Sequence, residues 1–553
     1  MDTPWLRSAR AARGRGLVAL GSIVLIGSTL LPWWQVGGAP GELTARGDIG
    51  ISDARSLLIF LAAVACLLLA TVRWATSRPI PIDRPVVYLG LFATATGAWA
   101  LRVADLSGQG LVSWPPGRGF GLWLAVAGLA VLAGGVLWLF RARGPEAAAT
   151  EADEGVASVA LDSEPHGRLD RLDAWVAVGL LVVVLAVRLF GLGQPTQMYF
   201  DETYNARTAT EFLQDWRYGV SHDIYEWTHP MLAKYAMAGG IALAADDRVT
   251  ATATLGVTVE DAVVQERTAT AGSGDRVLIA TGSEVRAYDL STRRLVHTYS
   301  IPGVAALSDP TPEGLIYAGT TDGFVYAIDT RSLDRLRADP ASSVAPATRL
   351  AAVTSISIAH VFAGSPPYVL VSDATGTVVS IDASGGAGTV VARATIPDAT
   401  AFAGFGPPPG PNGASAVGVL VAYRDGVAVL NPGPLTIEST TATGSPATSM
   451  ALDPGTTDGQ YRLYVAAGRS ILLLDLNLDS TPTLSLESGQ PLEKIPGAVT
   501  AVVFDEPTQM VHALGRTADG SGATVYAISV NGNAVFSDAP LPFEPAAMAL
   551  TMP

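Results

Sequence analysis

Five apolar runs in the first 192 residues constrain this chain most, because each approaches the roughly 20 residues a helix needs to cross a bilayer. They are Leu17–Trp34, Leu57–Trp74, Val86–Leu101, Phe120–Phe140 and Ala174–Leu192. A backbone without water must satisfy its N–H and C=O groups internally, so such runs are expected as helices. The third is the weakest, being short and rich in Ala and Gly. The first ends in Leu31-Pro32-Trp33-Trp34 rather than at a small-residue cleavage site, and further spans follow, so it is read as a retained span. All 11 tryptophans lie between Trp5 and Trp227. That break divides a membrane part from a soluble part. Trp33, Trp34, Trp74 and Trp138 sit at or near run ends, where interfacial anchors belong.

Arginine placement sets the expected orientation. Arg7, Arg10, Arg13 and Arg15 precede the first run. Arg73, Arg78 and Arg84 follow the second, and Arg141, Arg143, Arg168 and Arg171 bracket the loop after the fourth. Five alternating spans put all three clusters in the cytoplasm and everything after residue 192 outside it, which predicts a multi-pass protein of the cytoplasmic (inner) membrane. Residues 145–172 are Ala-, Glu- and Asp-rich and are read as a cytoplasmic linker. The single cysteine, Cys66, excludes an intramolecular disulfide and a Cys-based zinc site. A net charge of −15 argues against a nucleic-acid partner.

After the fifth run the pattern becomes amphipathic. Ala206, Ala209, Leu213 and Trp216 recur at helical spacing beside Phe212, with Arg207, Thr208, Glu211, Gln214 and Asp215 on the other face. A second helix is expected from Pro230, a favoured first helical residue, through Ala245. At about 1.5 Å per residue it is too short for a hydrocarbon core of roughly 30 Å, so it is expected to lie at the membrane or dip into it.

From about Gly256 the period changes to two, and a repeat emerges. One strand recurs as Val277–Thr281, Leu315–Gly319, Val369–Asp373, Val419–Tyr423, Leu463–Ala467 and Val511–Gly515. The next recurs as Val285–Asp289, Val325–Asp329, Val378–Asp382, Val427–Asn431, Ile471–Asp475 and Val525–Ser529, with starts 40, 53, 49, 44 and 54 residues apart. Asp322-Gly323, Thr375-Gly376 and Asp425-Gly426 supply hairpin turns between them. Multi-strand units of this length are β-propeller blades. The Asp or Asn ending each second strand is read as a turn former. The expected fold is multi-domain: an α-helical transmembrane region (1–144), the linker, a span with its external loop (173–250), and an all-β propeller of about six blades, seven at most (256–553). Closure of the ring is expected to pair a terminal strand with the other end.

Two motifs carry chemistry. Phe200-Asp-Glu-Thr-Tyr-Asn-Ala-Arg207 and Tyr225-Glu-Trp-Thr-His-Pro-Met-Leu-Ala-Lys-Tyr235 resemble the external loop of the GT-C glycosyltransferases of the protein O-mannosyltransferase and aminoarabinose-transferase branch. The resemblance covers roughly residues 172–248. Met231 stands where that family usually has a second proline. The family module continues through further spans where this chain begins its propeller, so the chain looks like the N-terminal part of a larger enzyme or an enzyme-derived protein. The blades loosely resemble quinoprotein-type (PQQ-like) and YVTN/WD-like repeats, without the tryptophan that often closes a quinoprotein blade.

The first resemblance implies a sugar transfer from a polyprenyl-phosphate donor to an extracytoplasmic protein or glycan acceptor. Asp201 would take the acceptor proton, and Glu202 would orient a neighbour or disfavour ionisation of Asp201 by like-charge proximity. Arg207, Lys234 and the helix start at Pro230 would stabilise the leaving phosphate, and His229 would bond donor or acceptor. No cofactor is required by the sequence; a divalent metal is compatible with the wider superfamily. Each residue also has a plainer role. Asp201 suits a helix N-cap, His229 a loop, and Lys234 a snorkelling interface lysine. Asp223 and Glu226 suit a solvated loop, and Tyr225 and Trp227 interfacial anchoring. The alternative function is therefore a membrane-anchored propeller that binds a partner without catalysis. A quinoprotein-like dehydrogenase is a weaker third, since no calcium-ligand cluster is evident.

Overall fold

A computed structural model of the chain describes residues 4–72, 84–112, 119–142, 171–189, 205, 208–209, 212–213, 231–244, 255–265, 275–311, 314–330, 336–337, 350–359, 368–382, 389–405, 418–453, 461–477, 483–486, 497–505, 510–516, 522–529, 534–541 and 545–549. The chain divides into two compact units, Met1–Gly38 with Ala45–Pro195 and Ala39–Thr44 with Thr196–Pro553.

The first unit is helical: α1 (Pro4–Thr29), α2 (Ala54–Thr71), α3 (Pro85–Gly108), α4 (Phe120–Ala142) and α5 (Arg171–Leu189). Among the described residues, α1 to α4 are long and apolar enough to cross a membrane. Glycines bring α1 and α4 together. A Cβ on Gly21 would strike the backbone of Leu132, and one on Gly135 would lie 2.7 Å from the Val18 nitrogen. Small residues at a helix crossing allow this approach, which is the usual means of packing apolar helices where lipid removes the hydrophobic drive. Val18, Leu25, Ile59, Ala63, Ala125 and Leu132 form the centre of the core. α5 meets α2 through Gly179, which lies against Leu68, and through Trp175, whose Nε1 donates to the Leu68 carbonyl at 3.4 Å. Val176, Leu180, Val184 and Val187 on α5 remain exposed.

Two features of this unit depart from expectation. The third run extends well past Leu101, as a 24-residue helix that includes Arg102 and Asp105. These charges are neutralised locally. Asp105 accepts from Arg55 at 2.9 Å and Arg102 at 3.0 Å, while Arg102 lies 3.4 Å from Asp53. Asp53 also caps α2 by accepting from the Arg55 N–H at 2.9 Å. Two cations and two anions thus join the start of α2 to the end of α3. The second departure lies between α1 and α2, where Pro32–Val36 and Arg46–Ile49 form an antiparallel pair. Trp33 is only 2% exposed, and its indole donates to the Ser28 carbonyl at 2.8 Å. It is a core residue and not an interfacial anchor. Gly50 packs against the indole with no room for a side chain.

The second unit contains a six-bladed propeller. The blades are Asp261–Ser300, Val304–Arg337, Val353–Thr395, Ala401–Ala442, Ala447–Leu486 and Val499–Leu541, each an antiparallel sheet of four consecutive strands. The two repeat motifs are the second and third strands of every blade. Those strands are buried almost throughout, as in Leu315–Thr320 and Gly426–Leu430. Fourth strands alternate between exposed and half-buried, as in Thr389–Thr395, and mark the outer rim. Apolar clusters fill the space between each consecutive pair of blades from the first to the sixth. Side chains from both faces of a blade therefore enter the core, one face toward each neighbour.

Hydrogen bonds reinforce the same junctions. Thr400 Oγ1 donates to the Ala447 carbonyl at 2.8 Å, Thr448 Oγ1 to Val499 at 2.9 Å, and Ser372 Oγ to Ala399 at 3.2 Å. The expected exchange of a terminal strand does not occur among the described strands. Blade 1 is built wholly from its own four strands, and so is blade 6. The chain enters at the first strand of one blade and leaves after the fourth of another, so the cut falls between blades and no blade needs a borrowed strand. Gly323 and Gly376, at φ of 85° and 80°, make the hairpin turns where a side chain would be strained. Ala39–Thr44 belongs to this unit: Leu43 N–H donates to the Arg293 carbonyl at 2.9 Å, and Arg294 pairs with Glu42 at 3.1 Å.

Candidate functional site

The external-loop motif is described in part. Asp201, Glu202, Arg207 and His229 lie outside the described residues, as do Asp223, Tyr225, Glu226 and Trp227. Asn205, Thr208, Ala209, Phe212 and Leu213 are helical, as their spacing predicts. A further helix, α6, runs Met231–Ala244 and begins directly after Pro230. The two helical segments pack together. Ala209, Leu213 and Ala238 form a buried cluster, and the rings of Phe212 and Tyr235 stack at 4.7 Å with an interplanar angle of 24°.

Lys234 lies one residue before Tyr235 and four before Ala238, and it has 0% exposure. A snorkelling lysine keeps its ammonium in water. Lys234 does not, so that simpler role is set aside. Lysine is almost never fully buried unless it is paired, and Lys234 is indeed not a free charge. A cation held in an apolar interior acts as a fixed positive centre with little screening.

Thr208 is also at 0% exposure, and its hydroxyl makes no hydrogen bond among the described residues. Sequence reasoning placed it on the polar face with Arg207 and Glu211. The available signal was its position four residues before Phe212, which puts both on one stripe. An unmet buried hydroxyl typically costs about 1–3 kcal/mol, so this helix pair retains an unused polar valence.

The propeller carries a second set of titratable groups. Asp261, in the first strand of blade 1, accepts from the Leu307 N–H of blade 2 at 2.7 Å and from Ala262 N–H at 2.8 Å. Burial pushes its carboxyl up to about 6; the two backbone bonds oppose this and the Asp309 charge adds to it. Asp309 is open to solvent yet set deep among protein atoms, and that desolvation raises it as well. Two of the Asp/Asn residues ending the repeat strands form turns as expected, whereas Asp475 lies within a strand, opposite Arg462 and Ser485. Asp289 Oδ1 accepts from the N–H groups of Ser291 and Thr292 at 2.9 and 2.7 Å, and Asn431 Oδ1 from Gly433 at 3.1 Å. Among the described residues no group of three or more His, Cys, Asp or Glu is placed to hold a metal ion.

No protein-family model and no curated protein matches the chain. Solved structures that align with it include U3-55K, at 12% identity over 53% of this chain and 85% of that one, with a TM-score of 0.37. Another is the Cps50 (Swd1) beta-propeller domain of Myceliophteria thermophila, at 15% identity over 52% of this chain and 92% of that one, TM-score 0.37. A third is a chain of a mitotic checkpoint complex, at 12% identity over 50% and 78%, TM-score 0.35. Likenesses this distant carry no argument, and the propeller stands on its own strand pairing. The chain thus contains helices long and apolar enough to cross a membrane and a six-bladed propeller.

Proposed function

We propose that this membrane-anchored propeller protein transfers a sugar from a polyprenyl-phosphate donor to a protein or glycan acceptor outside the cytoplasmic membrane, through the segment 172–248. The observation that carries the proposal is Lys234: a fully buried cation on a helix packed against the helical segment that follows Asp201-Glu202. In the proposed step the acceptor hydroxyl oxygen bonds to the anomeric carbon, and its proton goes to Asp201. The bond from that carbon to the phosphate oxygen breaks, and the polyprenyl phosphate leaves with the electron pair. Lys234 and Arg207 offset the charge that develops on the phosphate, Glu202 orients the base, and His229 bonds donor or acceptor. The step needs no redox partner, and a divalent metal is compatible with it without being required.

The test is sugar transfer from a polyprenyl-phosphate donor in membranes that carry the full chain. Asp201→Asn keeps a good helix cap but removes the base, so turnover should fall by roughly 10²- to 10⁴-fold while insertion is unchanged. Lys234→Met keeps the volume and removes the charge, and should lower transfer without unfolding the helix pair. Near-normal transfer in both variants would sink the proposal.

A second function is favoured by the propeller itself. Each of the six blades is complete in its own four strands. A ring of that kind serves as a rigid binding platform regardless of what the helices do. Under this alternative the Asp201-Glu202 pair merely caps a helix, and neither variant changes partner capture by the ring.

A further inference from the structure

α6 carries its polarity inside out. A surface helix in water turns its charged residues outward and its apolar stripe inward. Here the only charged residue of Met231–Ala244 is Lys234, which has 0% exposure, whereas Leu232, Tyr235 and Met237 are 80%, 57% and 41% exposed. Ala233, Ala236, Gly239 and Gly240 share the exposed side, so from Leu232 to Gly240 that face bears no charge. In water this arrangement is unfavourable twice over, since it desolvates an ammonium and hydrates a leucine, a tyrosine and a methionine. In a bilayer both terms change sign. Apolar side chains gain by facing acyl chains, and an ionisable residue is held toward the protein interior.

Length decides how the helix lies. Fourteen residues at about 1.5 Å each span about 21 Å, short of a hydrocarbon core of roughly 30 Å. Tyr235 is the kind of residue that sits at the headgroup level, with its ring in the apolar zone and its hydroxyl in the wet one. One ring face already stacks on Phe212, which holds the side chain at the helix surface instead of letting it fold away.

We infer that Leu232, Tyr235 and Met237 form a lipid-contacting face, by which α6 lies in the interfacial zone of the bilayer with Lys234 turned toward the protein. The inference is independent of sugar transfer, because a non-catalytic anchored propeller would carry the same face.

The experiment uses the full chain reconstituted in vesicles of phosphatidylcholine and phosphatidylglycerol. Single cysteines, Leu232→Cys and Met237→Cys in a Cys66→Ala background, are labelled with bimane. They are quenched either by brominated acyl chains or by aqueous iodide. Val296→Cys, at an exposed propeller position, is the reference. Brominated lipid should quench the two helix positions severalfold more than it quenches position 296, and iodide should do the reverse. Iodide quenching at 232 and 237 equal to that at 296 would show a helix in water and overturn the inference. Shielding from both quenchers would also overturn it, by showing that protein, whether another segment or a second copy, covers the face. If a labelled variant fails to insert, the unsubstituted chain is photolysed with a diazirine phosphatidylcholine. Adducts on residues 231–240 support the inference, and their absence while the exposed α4 residues Leu137 and Phe140 are modified refutes it.

Discussion

Asp261 joins two blades through a carboxylate that the fold partly desolvates, and the junction should therefore weaken as pH rises. The carboxyl moves from its ordinary 3.8 to about 6 on folding, chiefly through burial. A raised folded value means that the native state binds the proton more tightly than the unfolded chain. Stability then falls with increasing pH across that interval. Below the ordinary value the cost is absent, and above about pH 6 it is complete. At about 1.4 kcal/mol per pH unit the ceiling is about 3 kcal/mol, and partial solvent access to Asp261 reduces it to about 1–2 kcal/mol. Asp261→Asn keeps an oxygen to accept from Leu307 N–H and cannot ionise. The assay must be local, because every tryptophan precedes residue 228 and tryptophan fluorescence does not report on the blades. Hydrogen exchange of the segment 304–311, corrected for the intrinsic pH dependence of exchange, reads the junction directly. About two thirds of that cost falls between pH 4.5 and 7, so protection in the wild-type chain should fall by roughly 3- to 8-fold across the window, at tenfold per about 1.4 kcal/mol. Asp261→Asn should flatten the profile. Asp309→Asn should keep most of the slope, since the charge of Asp309 is the smaller contribution. A flat wild-type profile, or the same slope in Asp261→Asn, would refute the reasoning.

Other junctions lend themselves to equally specific tests. Thr448→Val removes the bond to the Val499 carbonyl between blades 5 and 6; it should cost about 1 kcal/mol and raise exchange in 499–505 while leaving 304–311 unchanged. Gly323→Ala adds a Cβ where φ is 85° and the Leu350 carbonyl is in the way, so at least about 1–2 kcal/mol should be lost and proteolysis in blade 2 should increase. Gly135→Leu forces α4 away from Val18 and should lower the melting temperature of the helical unit, read by tryptophan fluorescence in detergent. Asp322→Cys should react with a membrane-impermeant thiol reagent in intact cells; labelling only after lysis would place the propeller in the cytoplasm.

The blades were legible from exactly those strands that burial makes monotonous. Second and third strands have core on both faces, so Leu315–Thr320 and Ile471–Asp475 stand out as apolar runs against any background. First and fourth strands carry a mixed signal. Ile437–Ala442 alternates Ile, Glu, Ser and Thr on a rim that water reaches, and nothing in such a stretch separates strand from loop. The spacing of the legible strands nevertheless leaves room for two more in each unit, so the count of six blades followed. The place where the ring is cut did not, because it depends on which strand comes first and the illegible strands are the ones that decide it.

The helical unit and the external loop misled for a different reason. Reading a charge as the mark of a water-facing surface works at the rim of the propeller, where Arg424 pairs with Asp398 in the open. It fails where lipid is the solvent. Arg102 and Asp105 looked like the end of a span, yet α3 continues through them because Arg55 and Asp53 complete a neutral set. Lys234 looked like a residue reaching for water, yet it has no exposure. Around Lys234 the apolar neighbours Leu232, Tyr235 and Met237 face outward and the charge faces inward, which is the arrangement that a low-dielectric surrounding favours. Polarity patterns in this chain therefore have to be read with the solvent in mind: pairs such as Arg424 and Asp398 stand in the open on the propeller, although Arg276, Asp373 and Asp453 are buried in it, and Lys234 is turned inward on α6. Thr208 is buried as well. Its hydroxyl is directed into the protein with no partner, on the segment that packs against the helix of Lys234. Sequence polarity assigned that hydroxyl to water, and only the packing of two short helices reveals that it is buried.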